Sequence, residues 1–191
     1  MEQSKTAKSL ILLSAAMSTL AGMIHFWLAP IHWFHAPAHG IFFIVIGVAQ
    51  VLWASLVWRQ PSTRLYYIGA IMSGWLIVLY AITRWLPSPF GHGPEGIDLL
   101  GVTCKLCEIA AMIPPVILIF QGLILNSGRK AAWQTVALIA LFSIVAGFAS
   151  YTVARAAEPY FPGLSAPSGV VDHEENEPHN EHDHEHEDEA H

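Results

Sequence analysis

From Ser9 to Trp58 the chain carries no Asp, Glu, Lys or Arg, a charge-free interval of 50 residues. About 20 apolar residues cross the hydrocarbon core of a bilayer, so this interval has room for two spans. A backbone in lipid must satisfy its own polar groups, and an α-helix does so within one segment. The whole chain of 191 residues is 53% hydrophobic and 13% charged, about half the charge content of an average soluble protein. An ordinary soluble enzyme is therefore not expected. The expected fold class is all-α, a polytopic membrane helical bundle.

Hydropathy places five transmembrane helices at about Ser9–Ala29, Ala38–Trp58, Leu65–Leu86, Asp98–Asn126 and Ala131–Ala157. Short junctions rich in Pro, Gly and Ser separate them, so neighbours should pack antiparallel. Lys5 and Lys8 precede the first span, Arg59 and Arg64 flank the second junction, and Arg129 and Lys130 follow the fourth span. The first and third junctions have no Lys or Arg. Cytoplasmic loops concentrate these residues, which puts the N-terminus in the cytoplasm and the C-terminus outside a cell membrane. Arg84 and Arg155, near outer ends, run against this pattern. Lys5 and Lys8 before an apolar stretch resemble a signal peptide, but the stretch lacks a convincing cleavage site and reads as an uncleaved span. The fourth span would be about 43 Å long at 1.5 Å per residue. It must tilt, kink at Pro114-Pro115 or begin outside the core.

The stretch His25 to His39, HFWLAPIHWFHAPAH, nearly repeats itself. Spacing of seven would put His25, His32 and His39 on one face of a continuous helix, with His35 beside them. Pro30 and Pro37 argue instead for a helix ending near Ala29, with His32 and His35 on the connection and all four rings gathered at the outer face. Neutral imidazole ligates zinc, copper, nickel and iron, so converging rings can supply a metal's ligands. Amphipathic rings also favour membrane interfaces, and Trp27, Trp33 and Phe34 fit such a belt.

On the same side the third junction offers His92, Glu95 and Asp98, which could complete a mixed site or orient its ligands. A solvated loop, with Asp98 capping the fourth helix, is the alternative. Within that helix Cys104, Lys105, Cys107 and Glu108 form a polar island, which Arg84 of the third span can join. Lys105 and Glu108 can pair at i and i+3, or Glu108 can reach Arg84. Cys104 and Glu108 share a face. Two cysteines three apart in an apolar run define no disulfide framework, and packing with charge pairing is the favoured reading of the island.

Thr83-Arg84, Pro89-Phe90-Gly91, Pro94-Glu95, Asp98, Gly101, Lys105 and Glu108 form a pattern that resembles one recurring in small uncharacterised prokaryotic membrane proteins. Ala38-His39-Gly40 to Trp53-Ala54 is similar to their second-helix pattern. The resemblance spans about a quarter of the chain and implies a multi-helix membrane fold without an activity.

Residues 1–157 should form the helical domain and 158–191 a disordered outer tail. From Asp172 onward the tail has ten carboxylates and six histidines, His173, His179, His182, His184, His186 and His191. So polar a segment buries no core. It can buffer zinc, nickel, copper or cobalt weakly at overlapping sites, and acidity alone does not require six histidines. No phosphate loop, nucleophile elbow or HExxH motif occurs, and the acidic tail opposes nucleic-acid binding. The leading expectation is a membrane protein that binds a divalent transition metal on its outer side for capture, delivery or transport, with Gln50 and Gln121 as polar groups inside spans. A redox subunit holding haem or copper between His25 and His39 is the alternative. A structural subunit associating with a membrane-protein partner or with copies of itself is the second.

Overall fold

A computed structural model describes residues 5–91 and 93–165. Five helices make up most of it: α1 (Lys5–His35), α2 (Pro37–Arg59), α3 (Thr63–Trp85), α4 (Leu99–Ser127) and α5 (Arg129–Ala157). No strand occurs among the described residues. All five helices are long and apolar enough to cross a membrane.

The first helix does not stop near Ala29. It runs through Pro30 to His35, so His32 and His35 are helical and not on a connection. Pro30 removes one backbone donor but already has a helical φ, and proline inside a long apolar helix is tolerated where packing holds both sides. Pro37 is the residue that ends α1. A residue before proline is driven to extended backbone, and Ala36 has φ −153° and ψ 113°, with Pro37 opening α2. One residue thus separates two helices, which forces a tight reversal.

Helix α4 likewise continues through Pro114 and Pro115, both buried. Pro115 cannot donate to the carbonyl of Ala111, four residues earlier. Ser14 of α1 replaces that donor, its Oγ bonding the Ala111 oxygen at 2.5 Å. The proline therefore creates the acceptor that a neighbouring helix uses.

Helix α1 packs mainly on α2 and α4, and α3 on α4 and α5. Along α1 and α2, Gly22 meets Gly47, His25 meets Phe43 and His32 meets His39, so the pair is antiparallel. A Cβ on Gly22 would stand 3.0 Å from the Gly47 carbonyl; small residues let these two backbones approach closely. Helices α3 and α5 run parallel, with Ile71 beside Ser143 and the Trp75 indole donating to Ser150 Oγ at 3.1 Å. Trp53 of α2 donates to the Leu65 carbonyl at 2.8 Å and anchors the start of α3.

This arrangement gives the bundle two unlike ends. Lys5, Lys8, Arg59, Arg64, Arg129 and Lys130 lie at one, six of the nine Lys and Arg in the chain. The α1–α2 reversal, the Pro87–Asp98 connection and the end of α5 lie at the other. Between them the surface is apolar, with Met23, Val45, Leu52, Leu106, Leu138 and Phe142 all exposed. Two single-turn 3-10 helices follow at Glu158–Tyr160 and Pro162–Leu164. Arg155 pairs with Glu158 at 2.8 Å, and the last turn touches α2.

Candidate functional site

Its own turns and Arg84 fix the shape of the connection between α3 and α4, and His39 ties it to the α1–α2 reversal. The amide of Glu95 donates to the Thr83 carbonyl at 3.0 Å, and Ser88 N bonds the Gly93 carbonyl at 3.0 Å. Phe90 takes φ +62°, the left-handed conformation that closes the turn. Arg84 donates to the Gly96 carbonyl and pairs with the Glu95 carboxylate, its guanidinium lying 4.4 Å from the centre of the Tyr80 ring. Asp98 caps α4 by accepting from Gly101 N at 2.7 Å. These contacts hold Glu95 over the helix ends.

Beneath it, His32, His39 and Glu95 each bring one ligand atom within 4.8 Å of the others. The two rings meet edge to face with centroids 6.2 Å apart. His39 Nε2 is hydrogen-bonded to the Pro89 carbonyl, with Ser88 Oγ 2.9 Å away. A carbonyl only accepts, so Nε2 carries the proton and Nδ1 of the neutral ring carries the lone pair. Nδ1 lies 4.0 Å from Glu95 Oε1, and Ser88 Oγ donates to that same oxygen at 3.0 Å. All three side chains are partly buried.

A second group lies deeper. His25 precedes His32 by seven residues, about 10 Å along α1. Its Nε2 is 3.0 Å from Glu108 Oε1 and 3.5 Å from Cys104 Sγ. Gln50 Nε2 donates to the same carboxylate oxygen at 3.1 Å, while Lys105 Nζ occupies Oε2 at 2.5 Å. His25, Cys104 and Glu108 are all buried, and Glu108 is 0% exposed. The Phe43 ring stands between the two groups, its centroid 5.3 Å from that of His25 and 4.6 Å from that of His32.

The four histidines of the first junction therefore do not form one cluster. A shared helical face joins His25 and His32, the reversal brings His39 to His32, and His35 is exposed outside both groups. His25 and His39, expected to flank one haem or copper, belong to different groups. Asp98 is engaged as a cap. Arg84 serves Glu95, and Glu108 is taken by Lys105, His25 and Gln50. Cys107 is buried but joins neither group, and Gln121 is exposed while Gln50 is buried. His92 and the six tail histidines lie outside the described residues.

Two contributors had no signal as site residues. Ser88 reads as loop between Pro87 and Pro89, and Phe43 as one of many apolar residues in α2. Only adjacency to two prolines, which stiffen the backbone around Ser88, sets it apart. No protein-family model, no curated protein and no solved structure matches the chain.

Proposed function

We propose that the chain crosses a membrane five times and binds a divalent transition metal through His32, His39 and Glu95 at its outer end. The cationic end is cytoplasmic, following the preference of Lys and Arg for that side. A lipid environment accounts for the apolar belt, which water would leave as an extensive exposed hydrophobic patch.

The observation that carries the metal assignment is the hydrogen bond between His39 Nε2 and the Pro89 carbonyl. With Nε2 held as donor by the Pro89 carbonyl, Nδ1 is presented to Glu95 as a ligand. Outer hydrogen bonds of this kind orient ligating histidines in established metal sites. Two imidazole nitrogens and a carboxylate suit zinc, cobalt, nickel or copper. A fourth position is left for water or for a donor from elsewhere, so the ion is exchangeable. The function that follows is capture and delivery, with the histidine-rich tail raising the local ion concentration.

Elemental analysis of the full-length protein in detergent tests this reading, after equilibration with zinc, cobalt, nickel and copper and dialysis against a weak chelator. The protein should keep close to one ion per chain. Combined His32→Ala and His39→Ala should remove it, and His35→Ala should not. Equal retention by the double variant would sink the assignment.

A further inference from the structure

The buried group is not needed by the outer site and shares no residue with it. Its donors differ in kind: a thiol, an imidazole and a carboxylate already neutralised by an ammonium. We propose that His25 and Cys104 form a second, internal site for a soft monovalent cation of the Cu(I) or Ag(I) class, with Glu108 as the positioning carboxylate.

Three observations support the choice of ion. Thiolate sulfur and imidazole nitrogen are ligands that Cu(I) accepts at low coordination number, whereas hard oxygen-preferring ions need a fuller shell of oxygens. Sγ of Cys104 and Nε2 of His25 are 3.5 Å apart, and a modest separation of the two would admit an ion between them. The charge balance also favours a single positive charge. Glu108 and Lys105 together contribute zero, and a monovalent ion entering as the thiol proton leaves keeps the buried total unchanged. A divalent ion would add one uncompensated charge to the interior, which is expensive.

The binding step balances as follows. The S–H bond of Cys104 breaks, a metal–sulfur bond forms and one proton goes to solvent. The ring proton of His25 moves from Nε2 to Nδ1, which is buried and has no hydrogen-bond partner, so Nε2 is released to bind the ion. Gln50 and Lys105 keep Glu108 in place throughout, since they occupy both of its oxygens. The Phe43 ring packs against both His25 and His32.

The test is a titration of full-length detergent-purified protein with Ag(I), followed by the near-ultraviolet absorption of a metal–thiolate bond, which the tail imidazoles and carboxylates do not produce. Absorption should saturate at one ion per chain. Cys104→Ser, a near-isosteric change, should abolish it, and Cys107→Ser should leave it intact. His25→Ala should weaken the site by about tenfold or more. The combined His32→Ala and His39→Ala variant should retain the band, so a failed outer site and a failed inner site give different results. A band that persists in Cys104→Ser, or disappears in Cys107→Ser, overturns the proposal. Unfolding temperatures of both serine variants matching the parent protein will show that the comparison is made on folded protein.

Discussion

Nε2 of His25 lies 3.0 Å from Oε1 of Glu108, although 83 residues separate them in sequence. The contact ties the middle of α1 to α4, and Gln50 brings α2 to the same oxygen. Three helices thus converge on one carboxylate that has no exposure to solvent. Its worth lies in what would be left unpaired without it.

Glu108→Ala should therefore be the most damaging single change in the bundle. It strands the Lys105 ammonium, the Gln50 amide and the His25 ring in a poorly solvated interior. Breaking a buried pair from one side costs about 3–5 kcal/mol. Glu108→Gln keeps an acceptor oxygen for His25 and Gln50 and should cost less. Thermal unfolding in detergent, followed by tryptophan fluorescence, should rank the parent above Glu108→Gln and Glu108→Ala last; equal midpoints would mean that the carboxylate does not hold the helices together.

Ser88→Ala tests the outer site without touching a ligand. Ser88 Oγ lies 2.9 Å from His39 Nε2 and donates to Glu95 at 3.0 Å, so it orients both. Loss of such a partner lowers metal affinity about 10- to 100-fold. Zinc titration against a competing chelator should show that decrease with the unfolding midpoint nearly unchanged. An affinity equal to the parent's would remove Ser88 from the site.

The five helices were legible because each is a long, predominantly apolar stretch with few charges. The end of α1 was not, since a proline reports a local preference and cannot register what His32 gains by packing on Phe43 and His39. Pairing between helices was also hidden. The sequence offered Glu108 as a partner for Arg84, and the fold of the Pro87–Asp98 connection gives it Glu95 instead. The i, i+3 partnership of Lys105 with Glu108 was visible because helical spacing alone dictates it. Ser88 shows the opposite limit: its importance arises wholly from a loop conformation that no periodicity encodes.

Metal retention at the outer site should rise with pH. A proton and an ion compete for the same imidazole lone pair, so acid displaces metal. Retention should therefore fall as the pH is lowered. Ion release measured with a colorimetric chelator as the pH is lowered should be steep, because protons compete for two imidazoles. Single His32→Ala or His39→Ala variants should release whatever ion they hold with a shallower dependence on pH, and an unchanged profile in both would assign the titration to other histidines.

The bond between Ser14 and the Ala111 carbonyl predicts a coupling between two residues that chemistry alone would not relate. Ser14→Ala leaves a buried acceptor that Pro115 cannot satisfy, at a cost of about 1–3 kcal/mol. Pro115→Ala supplies the missing N–H within α4, so Ala111 regains a helical partner and Ser14 becomes dispensable. In the combined variant the serine replacement should therefore cost much less than in the parent. A double-mutant cycle on unfolding free energies should give an interaction of about 1 kcal/mol or more, within the range observed for residues that share a partner. Strict additivity would show that the serine hydroxyl and the proline act independently, and that Ser14 does not compensate for the break that Pro115 makes in the helix.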